Sequence, residues 1–570
     1  MTRLFNDPAD FRTEFLRGLV AANPALIQGV PGGAGVASID APTPGQVGVV
    51  IGGGSGHYPA FAGLVGPGLC HGAVVGEIFT SPSARAVTDL IEATDSGHGV
   101  VLMFGNYSGD VMHFGLAAQA ARREGRDVRI VLVTDDIASA KPEAWESRRG
   151  VAGGFYVFSA AAAAARAGLP IAEVEAVAQR VNARVHTLGI AFGGCTFPGA
   201  QRPLFEVPDS QIALGLGIHG EPGIEMVPTM PAAEAAELLL DRLLAERPAD
   251  AMRVRVLVNG LGATKYEELF VLTGALVGLL QDRGCEVVET GVGEFVTSLD
   301  MAGCSVTLCW TTPELDALLA APATAPALVR VGGSPTAAPD MESVNRRLAP
   351  REPAQPVTVD QDLAAATAVA LLSRASDAIG RAVDELGRLD SVAGDGDHGL
   401  GMSRGFGAAV EAARRSGPGL ADVLAAAGEA FADHSGGASG ALWGAGLAAA
   451  GHSVGLGESP GSAAAAAVSA VADLGRAAPG DKTVLDALIP FAEVLTAELA
   501  EGSALSQAWT RAAAAAQRAA ESTSAMASRR GRAAVHAEAS IGTPDPGCVS
   551  FAIAAQAVAG ALVDPEGSTP

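Results

Sequence analysis

Positive charge is scarce in this 570-residue chain, where 38 Lys and Arg residues stand against 62 Asp and Glu residues. The resulting net charge of -24 argues against nucleic acid or a membrane as a partner, because DNA, RNA and anionic lipids all repel an acidic surface. An anionic substrate would therefore need a local basic or metal site.

Cysteine is scarce too, and the six cysteines form no Cys-x-x-Cys pair and no spacing typical of a small disulfide scaffold. Neither a zinc site nor a disulfide framework is expected from them. No stretch of roughly 18 apolar residues is free of charges or Gly/Pro breaks. The N-terminus carries charge where a signal peptide needs an apolar run. These absences predict a soluble, cytoplasmic protein with reduced thiols.

The length predicts about two to four domains, since one hydrophobic core cannot serve so long a chain. In the first part, short β-rich runs alternate with helical segments, which favours parallel sheets flanked by helices. Residues 1–333 are therefore predicted to form two α/β lobes. The predicted strands are 47–51, 100–104 and 130–133 in the first lobe, and 254–258, 285–289 and 305–310 in the second.

The remainder of the chain has a different pattern. Residues 334–359 are rich in Pro, Ala and Arg and lack sustained periodicity, as is typical of a linker. Beyond them, apolar residues recur at helical spacing and alanine-rich helical patterns continue almost to the end. Residues 360–562 are predicted to form an all-α domain.

Three carboxylates crowd into eight residues, where Asp390, Asp395 and Asp397 stand among glycines. Divalent cations such as Mg²⁺ prefer oxygen clusters of this kind, and glycines let a phosphate approach the backbone. Asp-Gly pairs also form ordinary turns, but one turn needs one such residue rather than three. An EF-hand does not fit, because its fifth and twelfth positions would be Gly399 and Phe406. The cluster predicts a Mg²⁺ and nucleotide-phosphate site.

Three motifs in the first part carry further polar groups. Residues 52–59, with four glycines and a histidine, follow a predicted strand, where open α/β sheets bind ligands; they match neither a Walker nor a dinucleotide motif. Asp110 follows the next strand and is either a general base or a helix N-cap. His219 lies between glycines, where its ring is accessible for attack on a carbonyl or is simply hydrogen-bonded in a loop.

Taken in order, these motifs resemble the dihydroxyacetone kinase family in its single-chain, ATP-dependent form, over nearly the whole length. The resemblance implies a ketose-binding K-type domain of two α/β lobes at 1–333 and an ATP-binding L-type domain at 360–562, folded as a barrel of helices. The matching segments are 52–57, 106–110, 217–223 and 258–264 in the first domain, and 390–397, 436–440, 480–486, 531–533 and 545–547 in the second.

The resemblance also implies roles for the first-domain residues. His219 would bond covalently to the ketone carbon of a short-chain ketose as a hemiaminal, with Asp110 and His57 as the acid/base pair. Such a tether selects ketoses over polyols like glycerol and fixes the reacting hydroxyl in place. The residues expected to line the substrate pocket are Gly54, Ser55, Gly56 and Gly105.

In the second domain, the resemblance implies that Asp390, Asp395 and Asp397 hold two Mg²⁺ ions with ATP, which neutralise charge during in-line transfer. Arg532 would act as a catalytic residue that stabilises charge on the transferred group. The other implied ATP-binding residues are His398, Gly436, Gly437, Ala438, Ser439, Gly440, Asp481, Lys482, Asp545 and Gly547.

The chain departs from the family pattern at three places. Gly105 stands where many members have lysine, and Tyr58 stands where they have glutamate. This variant is similar to members that phosphorylate four-carbon ketoses. The expected substrate is therefore a short-chain ketose, either erythrulose or dihydroxyacetone, and the variant favours erythrulose. Residues 541–545 lack the histidine of a family motif.

Two other functions stay open from the sequence. One is an FMN-cyclising lyase activity on FAD, which would use the same aspartates; the other is a sugar-sensing regulator built on the K-type domain. The fused second domain with its aspartates favours the kinase, with free ATP as donor. Transfer needs the γ-phosphate within about 3 to 3.5 Å of the hydroxyl. Either the linker brings the two domains together within one chain or a homodimer pairs them across chains, and the resemblance favours the homodimer.

Overall fold

The computed structural model describes residues 4–332, 341–348, 362–530, 534 and 537–563. The chain divides into two compact units, Met1–Ala349 and Pro350–Pro570. The first contains two six-stranded sheets and their helices, and the second is helical throughout its described residues. This architecture confirms the predicted fold class, α/β lobes followed by an all-α domain.

The first lobe is built on a sheet with strand order β1-β2-β4-β3-β5-β6, in which β4, β3, β5 and β6 run parallel and β1 and β2 are antiparallel. Strands β3 and β5 are buried on both faces, which explains their continuous apolar runs. Its elements are α1 (Phe11–Ala22), β1 (Ile27–Gly29), β2 (Gly35–Ser38), β3 (Gly48–Ser55), β4 (Gly72–Ile78), α2 (Ala84–Thr94), β5 (Val100–Gly105), α3 (Ser108–Arg123), β6 (Val128–Val133), α4 (Gly154–Arg166) and α5 (Ile171–Asn182).

The second lobe has the strand order β11-β10-β12-β7-β8-β9, and only β10 and β11 pair in parallel. The expectation of a parallel sheet was therefore wrong here. Residues 294–302 join β11 to β12 without a helix, and so short a connection does not make a parallel crossover. The elements are β7 (Val185–Ala191), β8 (Gln211–Leu214), β9 (Glu225–Pro228), α6 (Ala232–Leu244), β10 (Arg253–Gly260), α7 (Tyr266–Asp282), β11 (Glu286–Gly293), β12 (Gly303–Thr311), α8 (Pro313–Leu319), β13 (Ala323–Ala325) and β14 (Leu328–Arg330).

One helix, α9 (Met341–Leu348), lies inside the segment predicted to be a linker. Its Met341 side chain packs against the core of the second lobe, so this part of the segment belongs to the first unit. The rest of the predicted linker lies outside the described residues.

The second unit is a bundle of helices around an apolar cavity of about 810 Å³, whose wall includes Phe406, Trp443 and Phe551. Glycines let helices approach closely: a Cβ on Gly428 would lie 2.7 Å from the carbonyl oxygen of Gly444. The helices are α10 (Leu363–Arg381), α11 (Val383–Asp390), α12 (His398–Arg414), α13 (Leu420–Ser435), α14 (Gly437–Gly455), α15 (Pro460–Gly475), α16 (Leu485–Ala500), α17 (Leu505–Ser522) and α18 (Pro546–Val563).

Two of these helices, α10 and α18, are long and apolar enough to cross a membrane by length and composition alone. Both contribute side chains to the core of the bundle, including Ile379 from α10 and Ala554 from α18. Helices inside a folded core pass the same test, so this is weak evidence for a membrane span.

Candidate functional site

The carboxyl end of β3 forms the floor of a small cavity in the first unit, and its glycines are required for packing. A Cβ on Gly52 would lie 2.4 Å from a methyl group of Val74, and one on Gly53 would lie 2.4 Å from the Phe61 ring. The strand continues through Ser55, so the predicted ligand-binding loop begins later than expected. These glycines therefore let side chains close over the strand end.

The cavity measures about 30 Å³ and brings together residues from both lobes. His57 and Asp110 come from the first lobe, and His219 comes from the second. Gly54 and Gly105 also line it, whereas Ser55 and Gly56, which were predicted to line the pocket, are not part of its wall.

The two histidines face each other, with their Nε2 atoms 3.0 Å apart. Nδ1 of His57 lies 2.8 Å from the Thr297 carbonyl oxygen, which can only accept, so Nδ1 carries the proton. The neutral ring therefore has its lone pair on Nε2. Burial lowers the pKa of His57 to about 3, with the nearby His219 as a further cause.

Glu221 fixes His219 from the other side. Its carboxylate accepts from Nδ1 of His219 at 3.0 Å and from the His219 backbone N–H at 2.9 Å. Burial would raise the pKa of Glu221, but the hydrogen bond and charge of His219 outweigh it and hold the pKa at about 2. Arg149 lies 3.7 Å from Glu221 and pairs with Asp136 at 2.8 Å. This arrangement holds Nε2 of His219 at the cavity wall, 3.0 Å from Nε2 of His57.

The Asp110 side chain is buried, and its Oδ1 has no hydrogen-bond partner among the described residues. Burial raises the pKa of Asp110 to about 6. It is the third residue of α3, and Tyr107 holds the N-cap position, so the N-cap alternative does not apply. Ser55 Oγ is likewise buried without a partner. Orphaned polar atoms of this kind are rare in proteins and are what a polar ligand would satisfy.

Aromatic rings close the cavity around the histidines. Phe79 stacks on His57 with ring centroids 4.9 Å apart, and Tyr107 meets His219 edge-on at 4.8 Å. Phe79 has a φ of 53°, which is unusual for a residue with a side chain and common at functional sites. Sequence reasoning missed these rings and the role of Glu221, although Glu221 and Tyr107 lie inside the motifs it singled out.

In the second unit, the predicted aspartates do converge. Ligand oxygens of Asp390, Asp395 and Asp397 lie within 4.8 Å of one another. Asp390 ends α11, and its Oδ2 accepts from the backbone N–H of Gly396 at 2.8 Å, which turns the loop back on the helix end. An all-oxygen donor set with two exposed carboxylates fits a hard cation such as Mg²⁺ with water or phosphate as its other ligands.

These aspartates border a cavity of about 650 Å³, within the range for a nucleotide-sized ligand. Three helices begin at its wall: α12 at His398, α14 at Gly437 and α18 at Pro546. Helix N-termini present free N–H groups and partial positive charge, which together bind phosphate. This convergence supplies the local positive field that the acidic chain needs, and the sequence motifs did not reveal it.

The glycines at the start of α14 are required by the backbone. Gly436 and Gly437 have φ values of 70° and 60°, and a Cβ on either would meet no atom within 4 Å. The space beside them is therefore open to a ligand. Ala438 and Ser439 also line the cavity, whereas Gly440 faces the α13 helix and does not.

His398 is a wall residue whose ring is already hydrogen-bonded. Ser550 Oγ donates to the Gly547 carbonyl, so it accepts from Nε2 of His398 at 3.0 Å. Nδ1 then accepts from Ser439 Oγ at 3.4 Å. Burial lowers the pKa of His398, which keeps the ring neutral. The ring holds α14 and α18 in place at the wall.

Two predicted ATP-binding residues have structural partners. The Lys482 ammonium is buried and donates to the carbonyl oxygens of Met526, Ser540 and Thr543, so it ties a loop together beside the cavity. Asp481 does not line the cavity; its carboxylate pairs with Arg530 at 2.8 Å. Arg530 does line the cavity, and the sequence motifs had not included it.

Asp545 and Gly547 lie at the wall beside the start of α18. Burial raises the pKa of Asp545 to about 6, and its Oδ1 accepts from the backbone N–H of Cys548 at 2.7 Å. Arg532, the expected catalytic arginine, lies outside the described residues.

Known protein families match both parts of the chain. The Dak1 domain matches residues 17–327, and the DAK2 domain matches residues 392–560. The chain is 49% identical to D-erythrulose kinase of Mycolicibacterium smegmatis, over 98% of each chain. It is 46% identical to L-erythrulose kinase of Pectobacterium atrosepticum, over 99% of this chain and 97% of the relative.

Among solved structures, the dihydroxyacetone kinase from C. freundii in complex with AMP-PNP and Mg²⁺ has a TM-score of 0.63 and 28% identity to this chain. The similarity covers 98% of this chain and 99% of that one. The chain belongs to the dihydroxyacetone kinase family.

Proposed function

We propose that this chain transfers the γ-phosphoryl group of ATP to a terminal hydroxyl of erythrulose, a four-carbon ketose. The chain is an ATP-dependent kinase of short-chain ketoses. The observation that carries the choice of reaction is the geometry of His219, whose ring is fixed by Glu221 at Nδ1 and lines a small cavity beside a buried Asp110 with a raised pKa. The erythrulose kinases, identical at 49% and 46% over nearly the full length, favour the four-carbon substrate.

The first step proposed is capture of the ketone. Nε2 of His219 bonds to the ketone carbon, and the carbonyl π electrons move to the oxygen, which takes the proton of Asp110. The ring becomes a cation whose Nδ1–H still donates to the ionised Glu221. The resulting hemiaminal holds the substrate in one orientation, and a polyol without a carbonyl cannot form it.

Asp110 is also the proposed base that removes the proton from the reacting hydroxyl. Having given its proton to the ketone oxygen, Asp110 is a carboxylate that can accept the proton of the terminal hydroxyl as it attacks phosphorus. His57 is the second candidate base, because its neutral Nε2 keeps a lone pair. The buried and unpaired Oδ1 of Asp110 is consistent with this role.

The second unit is proposed to hold the donor. Asp390, Asp395 and Asp397 would bind Mg²⁺, which supplies charge neutralisation for the phosphates. The N-termini of α12, α14 and α18 would bind the phosphates, and apolar wall residues such as Leu474 would contact the adenine base. Arg532 is retained as the proposed catalytic arginine.

The test is an ADP-release assay with dihydroxyacetone, D-erythrulose, L-erythrulose and glycerol as acceptors. We expect an erythrulose to give the highest kcat/KM, dihydroxyacetone a lower one, and glycerol none. Turnover of glycerol at a rate similar to the ketoses would contradict covalent capture. Preference for dihydroxyacetone over both erythruloses would contradict the four-carbon assignment alone.

Three finer statements belong to the same proposal: two Mg²⁺ ions per nucleotide, a homodimer that pairs the two units across chains, and a cytoplasmic location. Sedimentation of the full chain tests the dimer, and metal titration in the presence of a non-hydrolysable ATP analogue tests the ion count.

The FMN-cyclising alternative rests on more distant relatives, such as the triokinase/FMN cyclase of Homo sapiens at 34% identity. Incubation with FAD and a divalent cation, followed by detection of cyclic FMN, tests this alternative.

A further inference from the structure

Gly105, Tyr107 and Gly150 form one packed group at the wall of the ketose cavity. A Cβ on Gly105 would lie 2.8 and 3.0 Å from Cε2 and Cδ2 of Tyr107, and 3.2 Å from the Gly150 carbonyl oxygen. The Tyr107 hydroxyl donates to that same carbonyl oxygen at 3.2 Å. The ring therefore occupies the position into which a side chain at residue 105 would project.

This packing explains why residue 105 is glycine. Gly105 does not have a positive φ, so its backbone does not require glycine, and only the space around it does. The absence of a side chain at residue 105 does not leave an open pocket. The Tyr107 ring fills the space and also meets the ring of His219 edge-on.

The cavity is too small for the proposed substrate as it stands. A volume of about 30 Å³ corresponds to roughly two water molecules, whereas erythrulose has four carbons and four oxygens. A wall residue must therefore move when the ketose binds. The glycines of β3 have no side chain to move, and Phe158 is buried in the core of the first unit.

Tyr107 is the wall residue best able to move. Its side chain is half-buried, and its hydroxyl makes one neutral hydrogen bond, to Gly150. Phe61 and Phe158, the other aromatic wall residues, pack on each other in the core of the first unit, with ring centroids 6.3 Å apart. Displacement of Tyr107 would enlarge the cavity next to the ring that captures the ketone.

We infer that Tyr107 sets the length of ketose that this enzyme accepts: its ring moves out to admit a fourth carbon, and Gly105 gives it the room to return. The inference rests on the proposed ketose kinase function. In this inference, Tyr107 selects the substrate by contacting its hydroxymethyl end. The residue at position 105 affects the selection only by changing where the Tyr107 ring can lie.

The test is a double-mutant cycle read out as the ratio of kcat/KM for erythrulose to that for dihydroxyacetone. Tyr107→Ala should raise this ratio about tenfold, the discrimination that one carbon group typically gives in a pocket. Gly105→Ala should also raise it, by up to about tenfold, because its Cβ would keep the ring from returning to its place. In the Tyr107→Ala background, Gly105→Ala should change the ratio less than about twofold, because no ring is left to meet.

Tyr107→Phe keeps the ring, removes only the bond to Gly150, and serves as the second variant if the alanine variant fails to fold. It should lower KM for erythrulose and leave KM for dihydroxyacetone unchanged. Tyr266→Ala, at a half-exposed tyrosine outside the cavity wall, is the matched control and should leave the ratio unchanged.

The outcomes separate this inference from the function on which it rests. A wild-type chain that phosphorylates no ketose would remove the proposed function and the inference with it. Ketose turnover with the same ratio in wild type, Tyr107→Ala and Tyr107→Phe would overturn the inference alone. Equal effects of Gly105→Ala with and without the Tyr107 ring would also overturn it, because residue 105 would then act directly.

Discussion

Nε2 of His57 and Nε2 of His219 lie 3.0 Å apart, and each ring donates its Nδ1 proton to a fixed acceptor, the Thr297 carbonyl and the Glu221 carboxylate. A hydrogen bond between the two Nε2 atoms requires one proton between them, because two lone pairs do not bond. In the proposed capture step, Nε2 of His219 gives up this contact and bonds to the ketone carbon instead.

Glu221 should act as a positioning residue for His219. Glu221→Ala removes the acceptor for Nδ1, so the ring can take the tautomer that has its proton on Nε2 and no lone pair for capture. We expect kcat/KM for the ketose to fall on the order of 10- to 100-fold, the typical effect of losing a partner that orients a histidine. Glu221→Gln keeps an acceptor and should recover part of the loss.

The readout that separates orientation from general damage is adduct formation, followed by native mass spectrometry of the intact protein in the presence of the ketose. Glu221→Ala should lose the adduct while ATP binding to the second unit stays unchanged. A variant that forms the adduct as wild type does would show that Glu221 has no role in aiming His219.

Ketose affinity should depend on pH through Asp110, whose pKa burial raises to about 6. The proposed adduct contains the Asp110 carboxylate and a histidine cation, so formation from the ionised enzyme takes up one proton. Affinity should therefore fall about tenfold per pH unit above that pKa. NMR of a ketose labelled at its carbonyl carbon measures this directly. Asp110→Asn should bind weakly with a flat profile, and a flat wild-type profile would exclude Asp110 as the proton donor.

The aspartate cluster should control phosphoryl transfer without affecting capture. Asp395→Ala should abolish Mg²⁺-dependent turnover and leave the ketose adduct on His219 intact, because the two sites belong to different units. Asp377→Ala, at an exposed acid on α10, is the matched control and should retain turnover. Loss of the adduct in Asp395→Ala would indicate general unfolding rather than a metal defect.

Lys482 should contribute to the stability of the second unit. Lys482→Met removes the donor to three carbonyl oxygens and leaves them without their partner in a buried position. The expected loss in free energy of unfolding is roughly 3 kcal/mol, given the cost of unsatisfied buried groups. Calorimetry of the full chain measures it, with the exposed Lys265→Met as control. An unchanged transition with weaker ATP binding would instead support a direct contact of Lys482 with the nucleotide.

The sequence motifs located both sites because the chemistry depends on residue types that are informative by themselves, such as the aspartates at 390–397 and His219 between glycines. The structural reasons for the glycines near these residues could not be predicted from the sequence. Gly52 is explained by Val74, which lies on the neighbouring strand, and no local pattern shows that contact. Lysine beside a phosphate motif suggests a ligand contact, yet the partners of Lys482 come from the 526–543 region of the chain.

The strand directions of the second lobe could not be predicted from the local sequence pattern either. Strand β12 has the apolar run of a buried strand, and such a run does not state the direction in which the strand pairs. Its antiparallel position beside β10 depends on how the whole lobe packs. The same limit applies to Glu221, whose role is defined by the distance to His219 rather than by its place in the motif.

Thr297 belongs to the connection between β11 and β12 of the second lobe, yet its carbonyl determines which nitrogen of His57 in the first lobe holds the proton. The buried Asn259 amide fixes that connection through Phe295 and Val296. The protonation of His57 therefore depends on both sheets. The two lobes also share one hydrophobic core, in which Ile51 and Met103 of the first lobe cluster with Leu257 of the second, so removing either lobe would expose apolar surface as well as dismantle the histidine pair.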